Sequence, residues 1–178
     1  MENQVIKTKG INFGLGYGAY SASLTLYAYV IDNNLFASFW FLGFVVIGFF
    51  VNAFWVMGSL KKAQKGLLTF KEGFTVFFFS NALGLLISTL LTILIFVVVD
   101  PDFQATVKDI TIYKTTEMME NFGAPSDSIE EAIQGIREQD NFSITAQIKG
   151  YFATLAISSV VGLLLALILK KKTEEETY

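Results

Sequence analysis

The sequence predicts an all-α membrane protein. Four transmembrane helices leave both termini in the cytoplasm, and a helical hairpin lies outside it between the third and fourth spans. Three observations predict this. Hydrophobic residues make up 53% of the 178, charged residues only 16%, a balance rare in soluble domains. Four uncharged runs, at about 11–31, 35–60, 74–99 and 151–169, can each cross a hydrocarbon core of roughly 30 Å at ~1.5 Å per residue. The basic residues are segregated. Lys7, Lys9, Lys61, Lys62, Lys65, Lys71, Lys170, Lys171 and Lys172 fall on one side of those runs, whereas 100–149 holds only Lys108, Lys114, Arg137 and Lys149. Lysine-rich flanks stay in the cytoplasm, so 100–149 lies outside.

Segment 1–9 is short and polar. The rival reading of the first run is a cleaved signal peptide with Ser21-Ala22-Ser23 as its small-residue site. Its core, 11–20, is rich in Gly and Tyr and poor in Leu, which favours an uncleaved span. Asp32-Asn33-Asn34 reads as a tight polar turn. The second span carries Trp40 and Trp55 near its two ends, where indoles prefer the interface. Leu67, Leu68 and Phe70, set among lysines, suggest a segment lying on the membrane surface. After the fourth span, Lys170-Lys171-Lys172 leads into an acidic tail, 173–178, expected to be disordered.

The outer segment reads as two amphipathic helices. Asp100 can cap the first and Pro101 suits its first position. Phe103, Val107, Ile110, Lys114, Met118 and Phe122 then recur at steps of three or four, a mostly apolar stripe. Gly123-Ala124-Pro125 ends that helix. Ser128 and Glu131 have capping-box spacing for the second, whose stripe is Ile129, Ala132, Ile133 and Ile136. Gln139-Asp140-Asn141 breaks it, and Ser143 can cap the helix that runs into the fourth span. The two stripes are expected to form one seam. Met118 lies on it, and Met119 is left spare for a partner.

Inside the spans, small or weakly polar residues recur every fourth position. The first has Gly10, Gly14, Gly18 and Ala22; the third has Ser80, Gly84, Ser88 and Thr92. The fourth has Gly150, Thr154, Ser158, Gly162 and Ala166. That spacing keeps such residues on one face and lets backbones approach. We expect Gly14, Gly18, Ala22, Gly84, Ser88, Ser158 and Gly162 to pack one bundle; the alternative is a homo-oligomer seam or a narrow polar path. No Asp, Glu, Lys or Arg falls inside a span, which argues against coupled transport and proton relays. Asn52 and Asn81 are expected to bond neighbouring helices.

Chemistry is scarce. The sequence has no Cys and no His, which removes disulfides, thiolate nucleophiles, Cys/His zinc sites and His-based triads. The outer segment holds ten acidic residues against four basic ones, net −6, without a calcium-loop pattern. No catalytic residue, cofactor, metal or nucleic-acid partner is expected, and enzyme activity is not.

Asp100-Pro101-Asp102-Phe103-Gln104 resembles a motif of the bacterial membrane family known as domain of unknown function 4199. So do Met118-Met119-Glu120-Asn121-Phe122-Gly123-Ala124-Pro125, Gln139-Asp140-Asn141-Phe142-Ser143, Gly150-Tyr151 and Phe70-Lys71-Glu72-Gly73-Phe74. The likeness runs over nearly the whole chain. It implies a bacterial inner membrane with the outer domain in the periplasm, and it transfers no activity. The expectation is a scaffold or accessory subunit whose hairpin binds a protein partner in envelope or glycoconjugate assembly. The alternative is a small-solute channel or transporter made by oligomerisation.

Overall fold

The computed structural model describes residues 2–171, so Lys172 and the tail expected to be disordered lie outside the described residues. The chain is all-helical. Helix α1 runs Glu2–Val30, followed by a 3₁₀ turn Asn33–Ala37, α2 Phe39–Ala63 and α3 Phe70–Ile93. The last turns of α3 widen into a π-helix, Leu94–Val99. Then come α4 Phe103–Asn121, α5 Ser126–Glu138 and α6 Ile144–Leu169.

Local chemistry sets most of these boundaries. Asp32 accepts from the Asn34 amide and opens the 3₁₀ turn. Ser38 caps α2 by accepting from the Trp40 amide. Asp100 accepts from the Phe103 amide at 3.2 Å, but α4 begins behind Asp102, so Pro101 precedes the helix and does not open it. Gly123, with φ 72°, provides the left-handed residue that ends α4. Ser143 caps α6 by accepting from Ala146. Two other boundaries differ from expectation. Helix α3 begins at Phe70 because Thr69 and Glu72 form a reciprocal capping box, so Phe70 starts a helix rather than a surface segment. The box read at Ser128 is not used, since α5 starts three residues earlier, at Ser126 behind Pro125.

Among the described residues, three helical segments are long and apolar enough to cross a membrane: Phe39–Ala63, Phe70–Val99 and Ile144–Leu169. At 29 residues α1 has the length, but Asn12, its tyrosines and its Ser and Thr residues keep it below the others in apolarity.

Helix α3 is the hub. It packs lengthwise on α1, then on α6, and also touches α2. One core cluster joins Val56, Met57 and Leu60 of α2 to Val76 and Phe77 of α3 and Leu165 and Ala166 of α6. Leu68 is fully buried in it, contrary to the expected surface position. A clasp holds it there. Leu68 and Lys171 exchange backbone hydrogen bonds of 3.0 and 2.8 Å, and Lys61 Nζ donates to the Leu169 carbonyl at 2.9 Å.

The second cluster lies at the opposite end, where Ile95 and Phe96 of α3 meet Phe103 and Val107 of α4. Tyr29, Phe36 and Phe142 pack around them. Phe96 stacks on Phe142 with centroids 4.6 Å apart, and Tyr29 meets Phe103 edge-on at 4.9 Å. This corrects the expected hairpin seam. The first half of the α4 stripe faces the bundle rather than α5, with the Phe103 ring set among those of Tyr29, Phe36 and Phe96. Helix α5 still rests on α4, where Lys108 Nζ donates to the Arg137 carbonyl.

Candidate functional site

Two regions carry the residues singled out by sequence: the helix contacts inside the bundle and the exposed part of α4. A Cβ added at Gly14 would lie 2.8 Å from the Ser80 carbonyl oxygen, and one at Gly18 would lie 2.6 Å from Ile87 Cδ1. Glycines at these positions therefore let α1 approach the α3 backbone. Gly84 receives the ring of Tyr17, and Gly162 receives the ring of Phe77. Ser158 is buried and accepts from Asn81 Nδ2 at 2.7 Å. Ala22 and Ser88 are half-buried. Gly150, on the same stripe as Gly162, faces open space.

The aromatic partners of these glycines were not legible. Spacing marks where a helix is narrow; it does not say which ring enters. A further case is Gly48 of α2, over which the Tyr20 ring sits while its hydroxyl donates to the Phe44 carbonyl at 2.8 Å. A signal was available, since tyrosines in an apolar run need both a small neighbour and an acceptor.

Apart from Thr25, which donates to the Ser21 carbonyl of its own helix, the buried polar side chains are paired across helices. Asn52 Nδ2 donates to Ser80 Oγ at 3.0 Å, joining α2 to α3, and Asn81 joins α3 to α6. Asn81 Oδ1 alone of this group is buried without a partner.

At the other end, α4 extends beyond its anchored half. Lys114 Nζ donates to the Asn34 carbonyl at 3.0 Å, holding the helix over the 3₁₀ turn. Past that point Met118 and Phe122 project beside Phe39 and Trp40 of α2. With Thr111 and Glu117 these residues edge a groove of about 610 Å³. Phe122 is 85% exposed, Phe39 79% and Trp40 77%. The two methionines take the reverse of their expected places: Met118 is exposed, while Met119 is half-buried. Phe122 likewise lies outside any seam.

Among the described residues, no three or more acidic side chains are placed to hold a metal ion. Asp140 has a structural task. The hydroxyl and the backbone N–H of Ser143 hold its carboxyl below the usual range, so it stays ionised ahead of α6.

Compared with known proteins, the chain matches the family model described as protein of unknown function (DUF4199) over residues 12–171. No curated protein and no solved structure matches it.

Proposed function

The chain belongs to the family of proteins of unknown function DUF4199, and from that premise and its own geometry we propose a membrane scaffold or accessory subunit. In this reading four helices span a bacterial inner membrane, both termini are cytoplasmic, and the outer layer of α4 and α5 holds a protein partner. Envelope or glycoconjugate assembly is the setting the reading favours.

The fourth span is supported by alignment. Helix α1 runs parallel to α3 along its length, from Ile6 in the cluster of Leu68 and Val76 to Tyr29, whose hydroxyl donates to Asp100 at 3.2 Å. A helix that accompanies a spanning helix from end to end crosses the same thickness. Part of its polarity faces protein, since Tyr17 and Thr25 are buried, while Asn12, Ser23 and Tyr27 are exposed. The lysine distribution then sets the sidedness.

The observation that carries the scaffold reading is the division of α4 into an anchored and a free half. Phe103 and Val107 fix the helix to the bundle, which presents Met118 and Phe122 as a rigid surface beside Phe39 and Trp40. One wall of that groove belongs to a span and the other to the outer layer, so it suits a partner that itself crosses the membrane. Aromatic and methionine side chains are the usual anchors of such contacts. The net −6 of 100–149 favours a partner with basic residues at the same level. The runner-up, an oligomeric channel, draws less support, since Asn52 with Ser80 and Asn81 with Ser158 form pairs between helices inside the bundle.

A photo-crosslinking residue at Phe122 should capture one discrete membrane protein in native membranes. The product should disappear when Trp40→Ala and Met118→Lys are combined, with melting unchanged. Crosslinks to lipid alone, or capture that survives the double substitution, would overturn the reading.

A further inference from the structure

Above Ser158 the faces of α3 and α6 separate. Ser88, Thr89 and Thr92 line one wall of the resulting cleft, and Thr145, Lys149 and Thr154 line the other; its volume is about 530 Å³. Asp140 borders the same space. The floor is closed by two contacts. Asn81 bonds Ser158, and the Tyr151 hydroxyl donates to the Ala82 carbonyl at 3.3 Å. Gly150 and Thr154 are exposed, so the cleft opens sideways, toward lipid.

Its chemistry differs from the rest of the bundle surface. Hydroxyls line both walls, and the charged groups are one cation and one anion. Lys149 has no hydrogen-bond or ion-pair partner among the described residues. Asp140 is held ionised by Ser143. Lys149 stands two residues before the apolar run 151–169, at the border between hydrocarbon and headgroups. A ligand at that depth needs acyl chains to reach the site, an anionic group for Lys149 and a cationic group for Asp140.

We propose that the α3–α6 cleft binds a zwitterionic phospholipid headgroup of the phosphoethanolamine class. Its phosphate meets Lys149, its ammonium meets Asp140, and its ester carbonyls accept from the hydroxyls of Thr89, Thr145 and Thr154, since that of Thr92 donates to the Ser88 carbonyl. The leaflet rests on the four-span reading. The headgroup chemistry does not, because it is measured without a bilayer.

The purified chain in detergent is titrated with phosphatidylethanolamine, phosphatidylglycerol and diacylglycerol, and bound lipid is read by native mass spectrometry. Phosphatidylethanolamine should bind about tenfold tighter than diacylglycerol, as one charge-assisted contact provides, and tighter than phosphatidylglycerol. Lys149→Gln should shrink the first difference to the part left by Asp140, and Asp140→Asn should remove the second. Asp140 also supports the turn before α6, so a melting curve accompanies that variant; if it unfolds, Lys149→Gln carries the test. Equal binding of phosphatidylethanolamine and diacylglycerol by the parent, a preference for phosphatidylglycerol, or unchanged binding by Lys149→Gln would each overturn the proposal. A failed topology would show separately, in the labelling of intact cells.

Discussion

At Gly162 the ring of Phe77 occupies the place where any other residue would put its Cβ. Phe77 is fully buried, wedged between α2 and α6, so it has nowhere to retreat. Gly162→Ala should lower stability by about 1–3 kcal/mol, the usual cost of overpacking. Gly16 faces open space; Gly16→Ala should leave stability unchanged or raise it by up to ~1 kcal/mol through helix propensity. Thermal unfolding in detergent ranks the two, and equal melting points would mean that α3 and α6 are not in close contact. The four-residue stripe on α6 was legible at Ser158 and Gly162, which meet α3, but not at Gly150, which does not. Spacing identifies a face, whereas the distance over which a neighbour stays beside it depends on the whole helix pair.

Among the elements, α4 shows best what periodicity can and cannot say. The sequence marks Phe103 and Val107 as buried, and they are. It does not say that the burying partners are Tyr29, Phe36 and Phe96, which precede Phe103 by 74, 67 and 7 residues and lie on three different segments. Val107→Lys would place an unpaired charge among those rings, costing about 3 kcal/mol or more. Hydrogen exchange should then quicken throughout α4 and α5 while α1 and α3 keep their protection. Ile133→Lys, at a half-buried position, should quicken exchange in α5 alone. If Val107→Lys leaves α4 protected, the helix is not held through this cluster. Helix ends were more legible than helix partners, since Asp100, Gly123 and Ser143 act on amides within a few residues. The box at Thr69 and Glu72 was equally local. It escaped notice because hydropathy, not capping, set the expected start of the span at Phe74.

For the whole molecule, sidedness is the decisive property, and a chain without cysteine makes it measurable. Single Cys at Ile31, Glu117 or Glu130 should react with a membrane-impermeant maleimide in spheroplasts, while Cys at Lys7, Lys62 or Lys171 should stay protected until lysis. Reversed labelling would overturn the orientation. Labelling of Lys7→Cys together with Ile31→Cys would remove α1 from the spans. The three most apolar helices were plain in the sequence. Helix α1 was harder to read because Gly14, Gly18 and Tyr17 serve contacts with α3 and Tyr20 serves contact with α2.

The clasp between Leu68 and Lys171 has a consequence for the order of assembly during synthesis. Helices α1, α2 and α3 leave the ribosome before α6 exists, and the glycines at Gly10, Gly14 and Gly18 allow α1 and α3 to pair at once. Until α6 arrives, Phe77 has no Gly162 to enter, and the backbone of Leu68 has no Lys171 to meet. Nascent chains stalled before residue 144 should therefore hold a formed α1–α3 pair with an unlatched loop, and the latch should close only after the last helix has been threaded.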